Sequence, residues 1–227
     1  MDNVKQLTVE QATELANSDE VCLEKAFTLS AESAAALAKH NGTALQLWGL
    51  VEWEVSVAAQ LAAFDGDQLQ LDGLEDLTVE TAKEIAKFSG KYISFDGLGE
   101  INEDSAKALA SFKGENLSLG LQFLGKWEAG ELSDFKGKTI ELQMLTELEA
   151  GAAEGLASFG GEALYLDNLE IFDADVGLAL AEFRAEKLYI EEMRPEDWDE
   201  RDGGMFCLVN KEGGGNYLKY LFLDDDY

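Results

Sequence analysis

Imidazoles, thiols and carboxylates carry most catalysis and most metal binding, and this chain of 227 residues is nearly without the first two. Its single imidazole, His40, has no partner at a spacing that makes a base or a metal ligand set. The two thiols, Cys22 and Cys207, have neither the spacing of a metal-ligand pair nor that of a disulfide framework. Carboxylates are plentiful, with 46 Asp and Glu against 17 Lys and Arg and a net charge of −29. None of them falls in an Asp-x-Asp-x-Asp calcium loop, and no nucleophile motif, phosphate loop or paired general acid and base stands out. The expectation is a protein that is not an enzyme and takes no cofactor or metal.

The same charge excludes two classes of partner. A nucleic-acid binder needs a basic footprint to displace counterions from phosphate, and an anionic lipid surface also asks for Lys and Arg. No apolar run approaches the roughly 18 residues of a membrane span. The start, Met1-Asp2-Asn3-Val4-Lys5, lacks a basic region followed by an apolar one, so the chain is expected in the cytoplasm, as a monomer. Apolar residues make up 46% and aromatics 10%, enough for a real core. The last 36 residues carry net −6 of the total −29, so the charge is dispersed rather than gathered in a tail. A dispersed acidic surface keeps a protein in solution and biases its partners towards basic proteins.

What positions these side chains is a repeat. Blocks begin at Leu45, Leu69, Ile93, Leu117, Ile140, Leu164 and Leu188, in steps of 24, 24, 24, 23, 24 and 24 residues, and one step back from Leu45 lies Val21. Each block opens with period-two alternation, as in Leu69-x-Leu71, and goes on with helical spacing, as in Ala82, Ile85, Ala86 and Phe88. Cap-forming residues stand between the halves: Thr8 (a capping box with Gln11), Ser30, Thr78, Asn102 and Asp173. Glycines follow each helix at 42, 66, 90, 114, 137 and 161, read here as left-handed C′ residues. Three columns form the expected core: Leu37 to Leu180, the small residues Ala38 to Ala181, and Phe64, Phe88, Phe112, Phe135, Phe159 and Phe183. His40 stands in the phenylalanine column, one repeat before Phe64, and is read as a packing residue. Trp53 falls in the Leu77 column and is read as core.

With strand, turn and helix recurring every 24 residues from about Leu7 to Glu191, the chain resembles the leucine-rich-repeat class, as a divergent bacterial type with Leu-x-Leu-Asp-Gly-Leu turns. Where the usual repeat has Asn or Cys, this one has Leu50, Leu74, Leu98, Leu145, Leu169 and Met193. The resemblance implies an α/β fold: a single right-handed solenoid with a parallel sheet on one face and helices on the other. Residues 1–20 are expected to be a half-repeat cap, a helix with no preceding strand. Residues 21–191 are then about seven repeats, and 192–227 an irregular, hairpin-like cap. Seven strand steps separate Cys22 from Cys207 by on the order of 30 Å, too far for a disulfide.

On such a sheet, two outward files hold the candidate binding residues. One runs Trp48, Asp72, Asp96, Gly120, Gln143, Asp167 and Glu191; the other runs Cys22, Gln46, Gln70, Ser94, Ser118, Glu141, Tyr165 and Tyr189. The aspartates admit three readings: capping of backbone N–H groups at the turn, contact with a partner's Lys or Arg, or a hard cation. Tyr165 and Tyr189, beside Asp167 and Glu191, form either an ordinary cross-strand pair or an aromatic anchor for a partner. The expected function is a non-catalytic protein-protein interaction scaffold presenting Trp48, Asp72, Asp96, Glu141, Tyr165, Asp167, Tyr189 and Glu191. The alternative is an acidic decoy that blocks a basic protein through its whole surface.

Overall fold

A computed structural model describes residues 4–169, 174–183, 187–190, 204–211 and 215–222. The first part runs β1 (Lys5–Leu7), α1 (Val9–Ala16), β2 (Val21–Cys22), β3 (Phe27–Leu29), α2 (Ala31–Leu37), β4 (Ala44–Gln46), β5 (Leu50–Glu52) and α3 (Val55–Leu61). From there strand and helix alternate simply: β6 (Gln68–Gln70), α4 (Val79–Ile85), β7 (Tyr92–Phe95), α5 (Glu103–Ala110), β8 (Asn116–Leu119) and α6 (Lys126–Leu132). The later elements are β9 (Thr139–Glu141), α7 (Ala150–Leu156), β10 (Ala163–Leu166), α8 (Ala174–Ala181), β11 (Lys187–Ile190), β12 (Gly204–Lys211) and β13 (Gly215–Phe222).

The fold is α/β with parallel sheets. Eight strands form one sheet in the order β11-β10-β9-β8-β7-β6-β4-β2, which follows the chain without reversal. The strands pair in register, Leu45 with Leu69, Leu69 with Ile93, Ile93 with Leu117, and so on to Leu164 with Leu188. Parallel neighbours need a crossover, and the helices supply it, each packed against the next from α1 to α8.

The first blocks hold a strand that was not expected. Residues 5–7 form β1 ahead of α1, and β1, β3 and β5 make a second, three-stranded parallel sheet with Leu7 opposite Leu29. These three short strands lie outside the block starts that recur every 24 residues, so the repeat does not mark them. Near the other end, β12 and β13 pair antiparallel, Gly204 with Phe222 through Lys211 with Gly215, and β13 lies against α8 and β11. Arg194 to Trp198 lie outside the described residues.

The leucine and phenylalanine columns are buried as their spacing predicts, whereas in the small-residue column Ala86, Ala110 and Ala157 are buried and Ala38, Ala62 and Ser133 are half-buried. Leu37, Leu61, Ile85, Leu109, Leu132, Leu156 and Leu180 are at most 1% exposed. The phenylalanine rings stack at 6.1–6.3 Å between centroids, within 8° of parallel, from Phe64 to Phe159. His40 continues this stack on Phe64 at 6.2 Å, and its Nδ1 donates to the Ala16 carbonyl at 3.2 Å. Trp53 is half-buried against the Phe95 ring. Thr8, Ser30, Thr78 and Asn102 each accept from the third helical amide, whereas Glu54, Gly125 and Glu149 cap without a side-chain bond. Asp173 lies outside the described residues.

The glycines have a different role from the one expected. Helices α2 to α7 end on Ala38, Ala62, Ala86, Ser111, Ser133 and Ala157 in right-handed conformation, and none of the six glycines that follow has a left-handed φ. They are glycines because space is missing. A Cβ on Gly114 would collide with the Phe112 ring and lie 2.7 Å from the Gly90 carbonyl of the preceding repeat. The same ring-and-carbonyl clash recurs at Gly66, Gly90, Gly137 and Gly161. Gly49, Gly73 and Gly97, and one position earlier in its repeat Gly120, meet backbone carbonyls of the preceding repeat instead.

Candidate partner-binding face

Alternation along each strand sends Leu69, Ile93, Leu117, Ile140 and Leu164 into the core, all fully buried, and leaves Gln70, Ser94, Ser118, Glu141 and Tyr165 on the other face. Register aligns these five across β6 to β10, and Tyr165 stands opposite Tyr189 on β11. The Tyr189 side chain and all of Glu191 lie outside the described residues.

Side chains at the strand ends reach across to the next strand. Trp48 Nε1 donates to Gln70 Oε1 at 2.7 Å, the Ser94 hydroxyl donates to Asp72, and the Ser118 hydroxyl donates to Asp96 Oδ1 at 2.6 Å. Asp72 Oδ1 also accepts the Asp96 backbone N–H at 3.1 Å. These partners are 22 or 24 residues apart in sequence and one strand spacing apart in space. Asp72 and Asp96 therefore accept bonds from the following repeat, a cross-strand use rather than the local turn capping considered from sequence. Ser94 and Ser118, outward by alternation, are covered, at 1% and 4% exposure. Each buried hydroxyl has its acceptor, as burial requires.

Tyr92, missing from the sequence reading, belongs to this face. It stands in a file of small or polar neighbours, Ala44, Gln68, Asn116, Thr139 and Ala163, and its size against theirs was the available signal. It walls a shallow recess of about 500 Å³ shared with Gln68, Gln70 and Asn116, edged by the Lys91–Asp67 ion pair. Loss of solvent, then the nearby Glu141 charge, pushes the Tyr92 phenol up to about 12 against the opposing hydrogen bonds of Ser118 and Ser94.

Two carboxyls here are held above their ordinary range. Loss of solvent raises Glu141, with Asp96 and Asp167 adding repulsion. Loss of solvent also raises Asp96, opposed by the Ser118 hydrogen bond and helped by Asp72. Asp96, Glu141 and Asp167 thus share one stretch of the sheet face beside Tyr92 and Tyr165. Among the described residues no three of His, Cys, Asp and Glu converge as a metal site. Cys22 is exposed, with its thiol raised by loss of solvent and by Glu24 and Glu20, the reverse of an activated nucleophile.

A pH test follows from Glu141. Its folded-state pKa is raised, so its ionised form opposes folding, and stability falls as pH climbs from the unfolded value near about 4.3 through the folded one. Glu141→Gln is expected to be more stable than wild type at neutral pH and to lose that advantage below about pH 4. Urea melts at the two pH values check this; a variant less stable at both would mean that the carboxylate is favourably paired.

Among the described residues, no helix is long and apolar enough to cross a membrane. No family model matches the chain, and no curated protein matches its sequence.

Proposed function

We propose that this protein is a non-catalytic interaction scaffold, a single right-handed solenoid of the leucine-rich-repeat kind whose sheet face holds a basic protein. The solenoid reading is supported by a strand order that follows the chain without reversing, whereas a doubly wound sheet reverses at its switch point. It is supported too by helices packed in chain sequence. The Asp72 and Asp96 bonds to following strands tie each repeat to the next at the strand ends, two residues before the Leu74 and Leu98 positions. The hairpin β12–β13 is assigned the role of C-terminal cap, and the free Cys22 fits a reducing cytoplasm.

The observation that carries the function is the group Asp96, Glu141 and Asp167, in which the partly desolvated Glu141 is repelled by both aspartates beside the Tyr92 and Tyr165 rings. A partner's Lys or Arg would relieve that repulsion and lie over a tyrosine face. Tyr165→Ala with Tyr189→Ala is expected to abolish binding of the native partner, captured from the host, with little change in melting temperature. The helix-face pair Lys83→Ala and Lys107→Ala should leave binding intact. Normal binding by the tyrosine variant sinks the sheet-face reading. A salt titration separates it from a decoy acting through overall charge, whose binding collapses as the screening length shrinks.

A further inference from the structure

We infer that the rim between β8 and α6, at Phe123 and Trp127, is a second docking surface, for a basic amphipathic segment in which an apolar side chain is flanked by Lys or Arg. This rim is formed by the strand-to-helix connection and the first turn of α6, and includes none of the sheet-face residues.

Among the block starts from Val21 to Leu188, this connection lies in the one step that shortens from 24 residues to 23. Two residues before the helix N-cap, four other repeats carry acids: Glu52, Asp76, Glu100 and Glu147; here the residue is Phe123. Two residues after the N-cap, four other helices carry Glu10, Glu32, Glu80 and Asp104; here it is Trp127. Both aromatics point to water, 58% and 67% exposed, while Leu121 and Leu124 of the same connection fill the core at 0% and 2%. The rings are therefore not needed for packing. Met144, 48% exposed, extends the apolar rim into the next repeat. The Gln122 N–H donates to the Gly99 carbonyl at 2.8 Å, which ties the connection to its neighbour.

Charge selects the occupant. Glu100, Glu103, Asp104 and Glu147 are exposed on the adjoining repeats, and the local cation Lys126 lies 3.5 Å from Glu154. A purely apolar partner would leave these acids facing it without counter-charge. A second copy would bring another −29 to the contact. A segment with Lys or Arg on either side of a Leu or Phe satisfies both rings and acids.

The experiment uses two synthetic probes of equal charge, an alternating Lys-Leu peptide and oligolysine, against the full chain. Wild type is expected to bind the Lys-Leu peptide more tightly. Phe123→Glu with Trp127→Glu restores the acidic pattern and makes the chain more negative, so attraction by charge alone predicts tighter binding. Docking on the rings predicts the opposite, a loss of about tenfold or more for the Lys-Leu peptide and none for oligolysine. Phe123→Ser with Trp127→Ser should give the same loss with an unchanged melting temperature. Unchanged or tighter Lys-Leu binding by both variants overturns the inference. So does a wild-type dimer that becomes monomeric in the variants, which would make the occupant a second copy. The Tyr165→Ala and Tyr189→Ala variant should keep the Lys-Leu affinity; if it alone loses the peptide, the rim inference fails while the sheet-face reading stands.

Discussion

Phe112→Ala is expected to lower stability by about 3–5 kcal/mol, the range for truncating a buried aromatic. Phe112 is 1% exposed and lies between Phe88 at 6.2 Å and Phe135 at 6.1 Å, so its removal leaves a gap with a ring on each side. The neighbouring repeats cannot close the gap by sliding, because β7, β8 and β9 are locked in register. Phe123→Ala removes the same side chain at 58% exposure and is expected to change stability by less than about 0.5 kcal/mol. Urea melts of the two variants side by side make the comparison. A loss below about 1 kcal/mol for Phe112→Ala would show that the stack is not a shared core.

The second large effect is expected from one methyl group. Gly120→Ala puts its Cβ into the backbone of Asp96 on the preceding repeat, where the carbonyl oxygen, the carbonyl carbon and the Cα at 2.8 Å all lie too close. No flexible side chain stands there to move aside, so the strand-end backbones must separate, and the Ser118 bond to Asp96 separates with them. A loss of about 1–3 kcal/mol or more is expected, as for overpacking a rigid site. Gly160→Ala is the control, with nothing within 4 Å of its Cβ and no left-handed φ. That variant should be neutral or stabilised by about 0.4–1 kcal/mol through a less flexible unfolded chain. Equal effects at the two positions in thermal melts would remove the close-approach account of Gly120.

Much of the architecture can be read without coordinates, because each block repeats a full local instruction. Alternation at Leu69-x-Leu71 and helical spacing from Ala82 to Phe88 specify strand and helix within one block. The identity of the columns across blocks specifies which side chains meet. Thus the Leu37 and Phe64 columns, His40 as a packing residue, and the caps at Thr8, Ser30, Thr78 and Asn102 are all legible by position alone.

Other features depend on distances between residues 22 to 24 apart, which only the packing of one repeat on the next creates. The glycines at 66, 90 and 114 look like helix terminators in sequence; the approach of the previous repeat's carbonyl makes them steric necessities. Asp72 looks like a turn residue, and the roughly 4.8 Å step between strands turns it towards Ser94 and the Asp96 amide. Alternation sends Ser118 outward, yet Tyr92 and the neighbouring repeats keep it from water. Nothing in the local periodicity separates Phe123 and Trp127 from the core aromatics; only the structure shows Leu121 and Leu124 occupying the interior and the two rings left in water. Local periodicity specifies which face of an element is apolar, but whether a group on that face is covered, paired or left in water depends on the space its neighbours leave.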